Sequence, residues 1–294
     1  MNKLHRKARA QILGMMVEGM SMQSITRMTG VSKNTVAKLL VDAGTVCAEY
    51  QDRVMRNLTC KTLQCDEIWS FVGMKEKNVP AALKGVFVYG DVYTWTAIDA
   101  DTKLIPCWHV GARDAWSAND FMRDLAPRIA SRVQMTTDGL KAYIRAINGA
   151  FGADVDYAML VKLYGPAPGS GPERRYSQGE CCGAIRETIC GNPKYADVST
   201  SYVERANLSM RMGMRRFTRL TNGFSKKIDN HMHAIAIYFM HYNFVRIHQS
   251  LRVSPAMAAK VSETLWSLED MAALIEANEA PPKKRGSYKK KFSN

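Results

Sequence analysis

Apolar residues recur three and four positions apart through the first part of the chain. Between residues 5 and 43 this spacing predicts three short helices. Ser21 and Ser32 precede the second and third helices and can cap them, and Gly30 lies at the sharp turn between them. The compact TGVSKNTV turn therefore predicts a helix-turn-helix.

The exposed face of the last of these helices carries hydrogen-bonding and cationic side chains. They are Lys33, Asn34, Thr35 and Lys38. Groups of this kind enter the major groove of DNA from a recognition helix, so we predict DNA binding here. A helical hairpin used only for packing or dimerisation is the alternative.

From about residue 61 the apolar runs become short, aromatic and bounded by turns, as buried strands are. Two longer amphipathic stretches between them, SANDFMRDLAPRIAS and KAYIRAINGAF, predict helices. The predicted strands are LQCDEIWSFVGM, GDVYTWTAID, LIPCWHVGARD, RVQMTTDG and VDYAMLVKLYG. This order predicts a mixed five-stranded sheet with flanking helices.

The rest of the chain, from about residue 165, divides into a segment without helix or strand periodicity and a helical segment. Residues 165–199 are dense in Gly and Pro at their start and predict a flexible insertion. Long helices are expected from about Ser201 and Ser225, followed by two short capped helices. The expected units are 1–58 (helix-turn-helix and linker), 59–222 (α/β domain containing the insertion), 223–280 (helices packing on that domain) and 281–294 (a basic disordered tail).

Charge narrows the class of partner. Lys and Arg number 41 against 27 Asp and Glu, a formal net charge of +14, and the body without the tail keeps about +8. Cations that neutralise phosphates release condensed counterions, so nucleic acid is the first partner inferred, with simple solubility as the alternative. The seven Cys show no CxxC pair, and no apolar run is long enough for a signal peptide or membrane span. We expect a cytoplasmic, nucleoid-associated protein.

The helix from Ser201 has an unusual charge pattern, with one carboxylate at its head and arginines behind it. Glu204, Asn207, Leu208, Arg211 and Arg215 cluster on one side of a helical projection. The adjacent side is apolar and predicted to be core. A solvated helix usually mixes both signs of charge, so this stripe is predicted to follow a phosphate backbone that leads to a metal site.

Acids on other elements match that chemistry. Phosphoryl transfer on DNA favours hard divalent cations, commonly two about 3.5–4 Å apart, and carboxylates converging from different elements can hold them. Asp66 lies in the first predicted strand and Asp138 where the fourth ends. With Glu204 on the helix after the fifth strand, this is the arrangement of a ribonuclease H-like fold. Glu67 should point to the opposite face of its strand, where we expect a structural or supporting role.

Four segments in order, CDEIWSFVG, TTDGLKAY, STSYVERANLSMRMGMRRFTRLTN and HYNFVRIHQSLRVSPAMAA, resemble the DDE-type insertion-sequence transposases, most closely the group related to insertion sequence one. The resemblance implies that Asp66, Asp138 and Glu204 are the catalytic, metal-binding triad, with Mg²⁺ as cofactor or Mn²⁺ in its place. It also implies that Arg211, seven places after Glu204, contacts DNA near the reacting phosphate.

The implied activity is cleavage at the ends of the element and transfer of the freed 3′-hydroxyl into target DNA. Partners would be double-stranded DNA and further copies of the chain, as a dimer or larger assembly on DNA. Two alternatives stay open: a DNA-binding regulator with an inactive ribonuclease H-like domain, and a structure-specific DNA endonuclease.

The histidines near the end of the chain do not share one helical face, which argues against a histidine metal site. His241, Asn243, Arg246 and His248 are instead expected to contact phosphates or cap structure, and Arg246 and His248 are predicted DNA contacts. Trp69 and Trp95 are expected in the core.

Overall fold

The computed structural model describes residues 3–86, 88–165, 179–218 and 221–279. The predicted basic tail, and the Gly- and Pro-rich residues 166–178, lie outside the described residues. No helix in the described part of the chain has the length and apolar character needed to span a bilayer.

Nine α-helices and six strands make up the regular structure of the described residues. The helices are α1 Arg6–Val17, α2 Met22–Thr29, α3 Lys33–Val54, α4 Ala115–Leu125, α5 Ala142–Phe151, α6 Ser201–Gly213, α7 Ile228–Met240, α8 Pro255–Ala258 and α9 Leu268–Asn278. The strands are β1 Thr62–Val72, β2 Gly90–Asp99, β3 Trp108–Gly111, β4 Val133–Thr137, β5 Val155–Tyr164 and β6 Cys181–Cys190.

All six strands belong to one mixed sheet, in the order β3-β2-β1-β4-β5-β6. β1, β4 and β5 run parallel to one another, and β2, β3 and β6 pair antiparallel to their neighbours. The expectation of five strands was therefore wrong by one. The sixth, β6, pairs with β5 inside the segment expected to be a flexible insertion. Most β6 side chains are exposed, so no alternation of apolar residues marks it as a strand.

Helices cover both faces of the sheet, and the alternation of β1 decides which residues meet which layer. Leu63 and Cys65 join a buried cluster with residues of α4 and α5. Ile68 and Val72 join a second cluster with residues of α6 and α7. Asp66 and Glu67 lie between these two sets, so consecutive acids leave β1 toward different layers.

The N-terminal helices begin and turn where the sequence predicted. Ser21 and Ser32 accept hydrogen bonds from the backbone N–H groups of Ser24 and Thr35, and Gly30 ends α2 at φ 70°. That positive φ is favourable for Gly and costly for most other residues. Three helices are in place, but the third is not short: α3 runs to Val54, past the predicted end near residue 43. Their use as a DNA-binding helix-turn-helix stays a prediction.

These helices also contact the C-terminal ones. Gln51 of α3 donates to the carbonyl of Ala236 in α7 at 3.1 Å, and Arg9 of α1 pairs with Glu279, just after α9, at 2.7 Å. A Cβ on Gly44 would lie 2.6 Å from the His233 Cα, so α3 and α7 approach too closely for a larger residue. One buried cluster runs from α1 and α3 through α7 and α9 to the sheet. Buried side chains therefore pack continuously across the predicted domain boundaries, and these boundaries stay predictions.

Candidate active site

The register of two parallel strands brings two predicted acids together. Cys65 of β1 lies beside Thr137 of β4, so the next residues along, Asp66 and Asp138, are neighbours. Carboxylate oxygens of Asp66, Glu67 and Asp138 lie within 4.8 Å of one another. We call these three residues the strand acids. Among the described residues this is the only group of three or more side chains placed to hold a metal ion, and no histidine belongs to it.

Glu67 belongs to this cluster although it leaves β1 on the face opposite to Asp66. Its side chain is 1% exposed, and its carboxylate interacts with the buried hydroxyl of Tyr143. Burial, and then the charge of Asp138, raises the pKa of Glu67 to about 7. The expected supporting role is thus too narrow for the position found, because Glu67 places a buried carboxylate beside Asp66 and Asp138.

Asp66 faces α6. Its Oδ2 accepts a hydrogen bond from the Asn207 amide at 2.8 Å. Burial, and next the charge of Asp138, raises the pKa of Asp66 to about 6, and the charge of Glu204 contributes to this rise. A carboxylate pair whose negative charges repel in a low-dielectric setting is stabilised by a cation placed between them.

Helix α6 is tied to β1 at its first turn as well. The Oε1 of the buried Gln64 accepts hydrogen bonds from the backbone N–H groups of Tyr202 and Val203, at 2.8 and 3.2 Å. These are two of the N–H groups that a helix N-terminus leaves unpaired. Because Gln64 and Asp66 lie two residues apart on the same face of β1, the strand fixes α6 at two points, one on each side of Glu204.

Glu204 lies outside the group of strand acids. The Nζ of Lys162, on β5, is 2.5 Å from both of its carboxylate oxygens, and the Thr200 hydroxyl donates to Oε1 at 2.7 Å. Asn207, one helical turn further along α6, reaches Asp66, so Glu204 stands about one turn from the strand acids. The structure therefore brings two members of the predicted triad together and pairs the third with a lysine.

A second cation contacts two of the strand acids. Arg113, between β3 and α4, donates from Nε to Glu67 Oε2 at 3.0 Å and from a terminal nitrogen to Asp138 Oδ2 at 3.2 Å. The other oxygen of Asp138 accepts from the backbone N–H of Leu140 at 2.9 Å. Burial lowers the pKa of Arg113 while the Glu67 contact raises it, and the net shift is upward.

Sequence reasoning missed Arg113 and Lys162. The signal for Lys162 was a single cation inside the otherwise apolar run AMLVKLY of the fifth predicted strand. Nothing in the sequence around Arg113 marks it, because its approach to the acids depends on how the turn between β3 and α4 is placed.

The strand acids fit a hard divalent cation. All available donors are carboxylate oxygens, which Mg²⁺ and Mn²⁺ accept readily. These oxygens lie within 4.8 Å of one another, close enough to share one ion.

The predicted DNA contacts occupy varied positions. Lys33, Asn34 and Lys38 are exposed on α3, where Lys38 pairs with Asp42, and Thr35 is half-buried.

Asn207 is only 6% exposed and holds Asp66 instead of facing solvent. Arg211 is half-buried, while Arg215 and Arg246 are exposed. His248 is half-buried, with Nδ1 3.0 Å from the Ser250 hydroxyl. Their contacts with DNA stay predictions.

The structure also shows where Asn243 and two tryptophans lie. Asn243 is fully buried and exchanges two hydrogen bonds with the backbone of Ile105, so it caps structure. Trp95 is fully buried, as expected. Trp116, which the sequence did not single out, is 80% exposed near the start of α4, three residues after Arg113.

No protein-family model matches the chain, and no curated protein matches it. Among solved structures, a piggyBac transposase synaptic complex with hairpin DNA is similar at 12% identity and a TM-score of 0.40, covering 97% of this chain and 75% of that one. A Mos1 transposase paired-end complex with the left transposon end and a pre-cleavage Mos1 transpososome are similar at 11% and 12% identity, with TM-scores of 0.24 and 0.21; each match covers 53% of this chain and 60% of that one. At these scores the likeness assigns neither a fold family nor a function to this chain.

Proposed function

We propose that the chain is a DDE-type DNA transposase of the group related to insertion sequence one, which cuts DNA at the ends of an element and joins those ends to target DNA. The observation that carries this proposal is the meeting of Asp66 and Asp138 on adjacent parallel strands, with Glu204 about one helical turn away. The strand order β3-β2-β1-β4-β5, with β2 and β3 antiparallel, supports a ribonuclease H-like core to which β6 is added.

Asp66, Asp138 and Glu204 form the proposed catalytic triad, and Glu67 adds a fourth carboxylate. Bound between them, Mg²⁺ or Mn²⁺ would polarise the scissile phosphate and favour the ionised form of the attacking hydroxyl or water. The chain's own part is positional: Gln64 and Asn207 hold α6 against β1, so that Glu204 approaches the strand acids from a fixed direction.

DNA binding follows from the basic character of the body and from the placement of its cations. The exposed end of α3, with Lys33, Asn34 and Lys38, would contact the element ends. Arg211 lies on α6, Arg215 lies just after it, and the exposed Trp116, three residues after Arg113, offers a ring on which a base can stack. Two element ends must meet before joining, so a dimer or larger assembly forms on DNA.

The central test is the substitution Asp138→Asn in the full chain, compared with Asp101→Asn, an exposed acid at the turn after β2. With DNA carrying the terminal sequences that flank the gene, Asp138→Asn is expected to abolish Mg²⁺-dependent cutting and keep DNA binding. Asp101→Asn should cut like the wild type. Unchanged cutting by Asp138→Asn would overturn the site.

Two further outcomes separate the alternatives. A wild-type chain that binds the ends but never cuts them, with Mg²⁺ or Mn²⁺ present, would identify a regulator. A chain that cuts DNA but fails to join a precut end bearing a free 3′-hydroxyl to target DNA would identify an endonuclease.

A further inference from the structure

Every carboxylate of the proposed site is held by a donor from the chain itself. Asn207 holds Asp66, and Arg113 bridges Glu67 and Asp138. Lys162 covers both oxygens of Glu204. Two of these three donors are cations, so two of the four negative charges are balanced within the chain.

Both cations are attached in a way that allows them to leave. Lys162 is 29% exposed and Arg113 is 43% exposed, so each reaches the acids from the solvent side. A lysine ammonium on its four-carbon stem, and an arginine guanidinium at the end of a turn, can swing outward by rotation about side-chain bonds alone. Neither movement requires a change in the sheet.

A metal ion and Lys162 would compete for the negative charge of the same carboxylate. Glu204 Oε1 already accepts from Lys162 and Thr200, and Oε2 accepts from Lys162. A divalent ion sharing those oxygens would lie close to the ammonium, at a distance where like charges repel strongly in a partly buried site. Loading of the site and release of the lysine are therefore linked.

We propose that Lys162 and Arg113 are exchange residues: they hold the acids in the metal-free chain and turn to DNA phosphates when the site is loaded. This inference rests on the proposed function and deepens it. It predicts that divalent cations and DNA each strengthen the binding of the other, because loading frees two cations for the phosphate backbone.

The test uses the full chain, with Ca²⁺ as a probe that binds carboxylates, and a short DNA duplex. Lys162→Met and Arg113→Gln remove the two cations. Arg132→Gln is the matched control, because Arg132 forms the same kind of ion pair with Asp156 at the other end of β4, about 20 Å from Asp138. Lys162→Arg keeps the charge and should keep the coupling between Ca²⁺ and DNA that Lys162→Met loses.

Calorimetry without DNA should show Ca²⁺ binding about three- to tenfold tighter in Lys162→Met and Arg113→Gln, since no ion pair must be broken. The decisive quantity is the ratio of DNA dissociation constants without and with Ca²⁺. It should fall toward one in both variants and stay at the wild-type value in Arg132→Gln.

Three results would overturn the exchange: unchanged Ca²⁺ affinity in Lys162→Met, a wild-type ratio in a variant that binds Ca²⁺ more tightly, or a Mn²⁺-loaded structure with Lys162 still on both oxygens of Glu204. Asp138→Asn separates this failure from failure of the proposed site. If that variant loses Ca²⁺ binding while the exchange results fail, only the exchange is wrong; if it binds Ca²⁺ normally, the site itself is wrong.

Discussion

The acids of the proposed site are held in two different ways. On the strand side, Asp66 and Asp138 are neighbours because β1 and β4 pair in parallel register, and the backbone ladder alone sets their separation. On the helix side, Glu204 depends on where α6 lies and on which partner its side chain takes, and that partner is Lys162. Asp66 and Asp138 take their positions when the sheet forms. Glu204 must first leave Lys162 before it can join them.

This contrast explains why the carboxylates of the strand acids repel one another, whereas Glu204 is paired with a cation. Burial, and then the charge of Asp138, raises the pKa of Asp66 to about 6 and that of Glu67 to about 7. The helix side carries its own counter-ion instead. A site of this kind can assemble its metal-binding oxygens in steps, with Glu204 joining last.

The largest effect is expected from comparing Asp66→Asn with Glu204→Gln. Without DNA, Asp66→Asn should weaken Ca²⁺ binding by more than about tenfold, because it removes a negative charge and one carboxylate oxygen from the preformed group. Glu204→Gln should change that affinity by less than about threefold, since the loss of a ligand is offset by the loss of the ion pair with Lys162 that loading must break.

Calorimetry on both variants measures the difference, with cleavage assays expected to fail for both. Equal losses of Ca²⁺ affinity would show that the two sides act as one preformed site, which would remove the contrast.

The sequence predicts the positions of the strand acids better than the contacts of the residues on α6. Apolar runs located the first five strands, and strand order then placed Asp66 beside Asp138, because register is a backbone property. Helical spacing correctly put Glu204 and Asn207 on one side of α6. It could not tell what that side would contact, and Asn207 turned out to be buried against Asp66.

The features that escaped prediction depend on side-chain reach or on exposed backbone. Alternation gives the direction in which Glu67 leaves β1, but not that its longer side chain extends to within 4.8 Å of Asp138. The pair between Lys162 and Glu204 joins elements 42 residues apart in the sequence. Strand β6 is held by backbone pairing at an exposed edge, where side chains carry little pattern.

The second prediction concerns the ties that hold the helix side to the strand side. Gln64→Leu leaves the N–H groups of Tyr202 and Val203 without an acceptor and should lower the free energy of unfolding by about 3 kcal/mol. It should also weaken the effect of Ca²⁺ on DNA affinity, because α6 would no longer hold Glu204 in place.

Gln134→Leu is the matched control, since Gln134 of β4 makes a similar pair of hydrogen bonds with the backbone of Lys194. Denaturation by urea should show comparable losses of stability for both variants, while only Gln64→Leu changes the response to Ca²⁺. A control that altered this response equally would mean that α6 is positioned by general packing.

The smallest effect expected is a pH dependence confined to the strand side. The pKa of Glu67 rises from 4.5 to about 7 on folding, so the folded chain binds this proton more tightly than the unfolded chain. The stability linked to Glu67 is complete below about pH 4.5 and is lost as the pH rises through about 7. Asp66, raised to about 6, acts in the same direction. His231, whose burial lowers its pKa to about 3, acts in the opposite one.

Because these trends oppose each other, the difference between Glu67→Gln and the wild type is the informative quantity. In EDTA, Glu67→Gln should gain stability relative to the wild type as the pH rises from about 5 to 8, by on the order of 2 kcal/mol, since glutamine cannot ionise. Urea unfolding at several pH values measures this difference. A difference independent of pH would mean that Glu67 is already ionised and balanced by Arg113, and the strand side would then be as fully paired as the helix side.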